Sequence, residues 1–150
     1  MNSKEQIIGL LRSTQRNGIE NVIALLEDSD FFTVGCHSHH KYIGGMADHA
    51  LQTLALARRR GWKIPQDSLV ITCLLHDICD INRYREVRNH GSRSATLLTK
   101  FCNLELSQDE WNAIRYHMKR RRHRPVRSPL ELAVYTADKR SADRKHGRHA

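Results

Sequence analysis

The chain has 150 residues, 39% of them apolar and 27% charged, with only 8 Gly and 3 Pro. That size favours one domain with a proper core, the composition is that of a helix-rich soluble globule, and no apolar run approaches the roughly 18 residues needed to span a bilayer. A balance of 25 Lys+Arg against 16 Asp+Glu gives a net charge of +9, which points to an anionic partner such as a phosphate, a nucleotide or a nucleic acid.

The first residues, Met1 to Gln6, lack the pattern of a secretory signal, so the cytoplasm is the expected compartment. Cys36, Cys73, Cys79 and Cys102 show no C-x-x-C spacing and are expected to be free thiols in a reducing environment.

Helix signals dominate the chain. Ser3-x-x-Gln6 and Asn17-x-x-Glu20 have capping-box spacing, predicting two short helices over about 4–14 and 18–28. A polar, His-rich segment leads to Gly44-Gly45, and a third helix is predicted over about 45–60, ending before Gly61. A fourth begins near Pro65 and runs to about 78; its apolar run, Leu69 to Leu75, reads as buried on nearly every face.

Residues 79–90 lack a clear period and read as a long loop, a kind of segment that is often functional inside a compact domain. A fifth helix is predicted from Gly91 to about Phe101. Ser107-x-x-Glu110 caps a sixth over about 108–119, and Ser128-Pro129-x-Glu131 starts a seventh that fades near Ala142. Almost nothing alternates as a strand would. The expected fold is all-α, a compact bundle of about seven helices, in one domain over 1–143 with 1–36 as N-terminal helices and 37–143 as the core. Residues 144–150 are expected to form a basic disordered tail.

Several polar residues fall where apolar ones belong. His76-Asp77 closes the Leu69–Leu75 run, at a helix C-terminus that carries about half a negative charge. His49 lies on the stripe Met46, Ala50, Thr53, Leu54, Ala57, and Asp138 stands four residues beyond Val134 on the face of Leu130, Ala133 and Ala137. Glu131, Lys139 and Arg140 are expected to point to solvent. In the sixth helix Trp111, Ile114 and Met118 make the expected inward face, with His117 at its edge. An inward histidine alone is commonly a hydrogen-bonded core residue. A buried carboxylate is harder to account for without a partner, and metal ligation explains all five groups with one cause.

His49, His76-Asp77 and Asp138 resemble the H…HD…D pattern of the HD-domain superfamily of metal-dependent phosphohydrolases. The segment His39-His40-Lys-Tyr-Ile-Gly-Gly-Met-Ala-Asp-His49 is similar to the opening of the first metal-binding helix in bacterial members, including an exoribonuclease group, and Leu74-Leu-His-Asp-Ile78 resembles the core motif. Asn89 to Ala95 and Ala113 to Met118 resemble the intermediate motifs of members with extra histidines. The resemblance covers about residues 37–143 and implies one or two divalent ions. His49, His76 and Asp138 would hold the first, His90 and His117 the second, and Asp77 would bridge. Many members continue the motif as HDIGK, whereas Asp80 stands here in place of the lysine.

Imidazole-rich sites suit Mn, Fe, Co, Ni or Zn, and suit Mg less well. The implied reaction is hydrolysis of a phosphomonoester or phosphodiester of a nucleotide-like substrate by metal-activated water, with His76 and Asp77 as catalytic ligands. Gly91-Ser92-Arg93-Ser94, the first turn of a helix, either cradles phosphate or merely caps that helix. Arg83 and Lys119 are further candidates for substrate contact, and Tyr84 and Tyr116 for stacking on a base. The alternative reading is a nucleic-acid-binding module with a structural metal, or a small nuclease, in which the basic runs bind RNA or DNA. The oligomeric state is open.

Overall fold

The computed structural model describes residues 1–59, 63–82, 89–118 and 124–147, with 144–147 as backbone only. Its elements in chain order are α1 (Ser3–Ser13), α2 (Ile19–Asp28), α3 (Gly45–Arg58), α4 (Gln66–Leu75), a 3₁₀ turn (Ile78–Asp80), α5 (His90–Thr96), a π-helical turn (Leu97–Phe101), α6 (Gln108–Arg115) and α7 (Pro129–Gly147). The fold is all-α, as the periodicity predicts. Among the described residues no helix is long and apolar enough to cross a membrane.

Of the four expected capping boxes, one forms complete and a second forms its N-cap half. Ser107 and Glu110 make a complete capping box at α6. Ser128 Oγ accepts from the Glu131 N–H at 3.1 Å at the start of α7. The other two differ. Asn2, one residue before the expected Ser3, caps α1 by accepting from the Glu5 N–H at 2.8 Å. No side chain caps α2, because Gly18 enters it at φ 90. Glu20 pairs with Arg12 instead of reaching back to the Asn17 backbone, so the expected box does not form.

Helix ends also differ. α4 stops at Leu75, where the 3₁₀ turn takes over, and α7 continues to Gly147 rather than fading near Ala142.

α3 lies at the centre, packed against α4 and α7, while α6 packs on α4, α5 and α7. Every residue from Leu69 to Leu75 is buried, which is what a helix covered on all sides requires. Ile7, Leu11, Leu26, Leu54, Ile71 and Val134 join them in one core, each buried aliphatic side chain contributing about 1.5–3 kcal/mol. All four cysteines are free and buried.

Two glycines set the approach of the segments that carry histidines. A Cβ at Gly45 would lie 1.9 Å from the His40 carbonyl oxygen, and one at Gly91 would lie 2.1 Å from that of Arg115. Contacts that close admit no side chain. Gly45 thus seats His40 against the start of α3, and Gly91 lets α5 lie on the end of α6, next to His117.

Candidate metal centre

Four side chains converge: His49 of α3, His76 and Asp77 just beyond the end of α4, and Asp138 of α7. His49 Nε2 is 3.0 Å from Asp138 Oδ1 and 3.3 Å from His76 Nε2. His76 Nε2 is 3.3 Å from both Asp138 Oδ1 and Asp77 Oδ2, and His49 Nε2 is 3.6 Å from that same Asp77 oxygen. Ligands about 2.1 Å from one ion stand about 3.0 Å apart along an octahedral edge and about 3.4 Å apart along a tetrahedral one. The observed separations fall on that scale.

The imidazole protons agree. His76 Nδ1 is 2.8 Å from the Cys73 carbonyl and His117 Nδ1 is 2.8 Å from that of Ile114, so each Nδ1–H donates to its own helix. Ser141 Oγ donates to Gln52 Oε1 at 2.6 Å and accepts from His49 Nδ1–H at 2.9 Å. All three rings therefore turn Nε2 into the cluster, the orientation of a metal-ligating histidine whose Nδ1–H is held by a second partner.

Charge completes the fit. Burial opposes ionisation of Asp138 and Asp77, yet hydrogen bonds and charge from His49, His76 and His117 hold both carboxyls well below the usual range. Burial likewise opposes a charged His76, but Asp77 and Asp138 raise it well above the ordinary imidazole range. The carboxylates thus draw positive charge into the cluster. A divalent ion supplies it with both imidazoles neutral. Asp77, with 16% of its side chain exposed against 1% for His49 and His76, is the member that reaches the surface.

The two oxygens of Asp77 face different ways. Oδ2 meets His49 and His76, and Oδ1 meets His117 Nε2 at 3.1 Å. Beyond it lies a second set, Asp77, Asp80 and His90, with His90 Nε2 3.5 Å from Asp80 Oδ1. Burial and then the neighbouring Asp77 charge push the Asp80 carboxyl up, against the opposing charges of His90 and Arg93. Burial pushes the Cys79 thiol up to about 12, and its Sγ lies 3.4 Å from the His90 carbonyl.

A cleft of about 150 Å³ opens onto both sets, lined by His39, Asp77, Asp80, His90, Asp138 and Lys139 among others. Larger surface cavities of about 630 and 640 Å³ lie elsewhere and hold no such ligand set, so chemistry rather than volume designates the site.

Every expected metal ligand, His49, His76, Asp77, His90, His117 and Asp138, lies in or beside this cluster. The expected phosphate cradle fares differently. Ser94 is fully buried, and its Oγ accepts from the Cys79 N–H at 3.1 Å. Gly91 abuts the Arg115 backbone, so the first turn of α5 faces α6. Ser92 and Arg93 line a separate pocket with Leu25, Asn82 and Phe101.

Two outward assignments and one inward assignment also change. Glu131 is buried, where Arg124 pairs with it. Lys139 lines the cleft, its Nζ 3.8 Å from Asp138 Oδ2. Met118, expected inside, is 47% exposed at the cleft wall. The Tyr116 ring lies under the Arg124 guanidinium at 3.7 Å, which makes it a packing platform. Arg83, Lys119 and Tyr84 lie outside the described residues.

Sequence reasoning missed His39, His40, Gln52 and Ser141. His40 links the Nδ1 of His39 at 2.8 Å to Gln52 at 3.1 Å, and Gln52 accepts from Ser141, so the ring of His49 is braced from behind. Burial, then the charges of His49 and His40, lower His39 to about 4, and this cleft residue is neutral at pH 7. The His39-His40 pair ahead of Gly44-Gly45 was the available signal.

The model of a family described as HD domain matches residues 46–143, well over half of the chain. No curated protein and no solved structure matches it.

Proposed function

The chain belongs to the HD-domain family, and we propose that, as a metal-dependent phosphohydrolase, it cleaves a phosphomonoester or phosphodiester bond of a nucleotide-like substrate. The observation that carries this reading is the convergence of His49, His76, Asp77 and Asp138 on one point with each imidazole Nε2 turned inward.

A divalent ion bound there supplies Lewis-acid charge and lowers the pKa of a bound water from 15.7 toward about 7. The chain does the rest. His49 and His76 are locked by their Nδ1–H bonds, so binding the ion costs them little rearrangement. Asp77 offers one oxygen to each side, the arrangement expected of a carboxylate bridging two ions, with His90 and His117 on the second side. The ammonium of Lys139 stands at the cleft as the fixed cation among the described lining residues, placed to attract a phosphate group. Mixed imidazole and carboxylate ligands favour Mn, Fe, Co, Ni or Zn at the first position.

The test is a screen of metal-loaded protein against mononucleotides, cyclic nucleotides and short oligonucleotides. Hydrolysis of at least one class is expected, with Asp77→Ala abolishing it while the helical circular dichroism persists. Full activity in that variant sinks the assignment. Oligonucleotide cleavage with a steep salt dependence would mark the nuclease form of this activity, using the basic surface.

A further inference from the structure

Given the two-metal arrangement proposed above, we infer that Asp80 is itself a ligand of the second position, beside Asp77, His90 and His117. The first position is built from two imidazoles and two carboxylates. Asp77, Asp80 and His90 form a second set, and His117 Nε2 stands 3.1 Å from Asp77 Oδ1. Asp80 thus supplies the second carboxylate that makes this position match the first in its donors. Carboxylate oxygens suit Mn and Mg, whereas imidazole suits Zn, Ni and Cu, so exchanging Asp80 for an imidazole should move the preference of this position toward Zn.

The local backbone explains why Asp80 is available. The chain leaves α4 through a 3₁₀ turn in which the Asp80 N–H donates to the Asp77 carbonyl at 3.0 Å. With about three residues per 3₁₀ turn, side chains at i and i+3 stack on the same side. Asp77 and Asp80 consequently present two carboxylates to one place, and His90 from the start of α5 closes it.

Asp80 is buried with 7% of its side chain exposed, and a buried carboxylate needs more than weak partners. The Cys79 thiol lies 3.8 Å from it and His90 Nε2 3.5 Å, the latter too long for a good hydrogen bond, and the charge of Arg93 also reaches it. All three members line the cleft, so an ion there keeps coordination positions for water or a substrate oxygen. The acid that replaces the lysine of HDIGK relatives thus becomes part of the metal site, while the cation on this wall is Lys139.

Metal-stripped full-length protein, reconstituted with Mn²⁺ and measured for bound metal by equilibrium dialysis and for coupling between ions by electron paramagnetic resonance, tests this. Wild type is expected to bind two ions with a coupled spectrum. Asp80→Asn, which keeps the shape and removes the charge, is expected to weaken the second ion about tenfold or more and to leave an uncoupled spectrum. Asp80→His is expected to restore the second ion with Zn²⁺ now preferred over Mn²⁺.

If wild type and Asp80→Asn both take two ions with equal affinity, Asp80 is not a ligand and the two-metal arrangement stands. Wild type taking a single ion under all loadings overturns the two-metal arrangement and this assignment with it. Should Asp80→Asn lose helicity, Asp80→His decides alone: a second ion with altered preference supports the assignment, and an unaltered preference overturns it.

Discussion

Glu110 and Asp138 are both carboxylates buried among helices, with 2% and 7% of their side chains exposed, yet they are neutralised in opposite ways. Glu110 is satisfied by the chain itself. Arg16 grips it with two N–H groups at 2.6 and 2.9 Å, Ser68 donates at 2.6 Å, and the Ser107 N–H donates at 2.8 Å. Asp138 faces two imidazoles whose Nδ1 protons are already committed elsewhere, with Asp77 as a second carboxylate alongside. One cluster buries its cation, whereas the other has only the part-exposed Lys139 ammonium at its rim, 3.8 Å from Asp138 Oδ2. A buried carboxylate is therefore a sign of function only when the chain withholds the counter-charge.

The largest effect that would break this contrast concerns the metal. At a free concentration about 100 times the dissociation constant, a bound ion stabilises the fold by about 2.7 kcal/mol. Wild type and Glu110→Gln should both show that rise in thermal unfolding on adding Mn²⁺, whereas Asp138→Asn should show none and should retain little metal. A full metal response in Asp138→Asn would remove Asp138 from the site.

Comparable in size is the effect on the structural cluster. Glu110→Gln leaves Arg16 without its partner and should cost about 2–4 kcal/mol in urea unfolding, with metal content unchanged. The dependence on pH has a fixed sign. Burial would raise the Glu110 carboxyl, but Arg16, Ser68 and Ser107 hold it at about 2, below its ordinary 4.5. Its contribution is thus complete above pH 4.5 and is lost as pH falls toward 2. The stability gap between wild type and Glu110→Gln should shrink over that window. A gap independent of pH would mean that packing, not charge, is what the substitution removes.

The smallest effect sharpens the metal side. Ser141→Ala removes the acceptor of His49 Nδ1–H and should weaken metal binding about 10–100-fold, with the helical fold retained. Unchanged affinity by titration calorimetry would show that α3 alone holds the ring.

How much of this was legible depended on whether direction or company had to be known. Helical periodicity carries direction, so His49 on its apolar stripe and Asp138 beyond Val134 could be placed inward from the sequence. The run Leu69 to Leu75 announced its own burial and left His76-Asp77 at its end. Company is a tertiary fact. Glu131 looks solvated until Arg124 is seen against it, and the first turn of α5 looks open to phosphate until the Arg115 backbone fills the space beside Gly91. Asp80 needed both, because its alignment with Asp77 depends on a 3₁₀ turn that has no strong sequence signature. The braces Gln52 and Ser141 are ordinary polar residues whose role exists only through the ring they hold.

One contact also has a consequence for biosynthesis. His49 and Asp138 meet at 3.0 Å although 89 residues separate them, and α7 leaves the ribosome after every other ligand-bearing segment. A nascent domain thus exposes His49, His76 and Asp77 before the residue that closes the first metal position exists. Choice of metal then belongs to the finished domain, after release of α7, when the cell's free ion pool rather than the timing of translation decides which ion is kept.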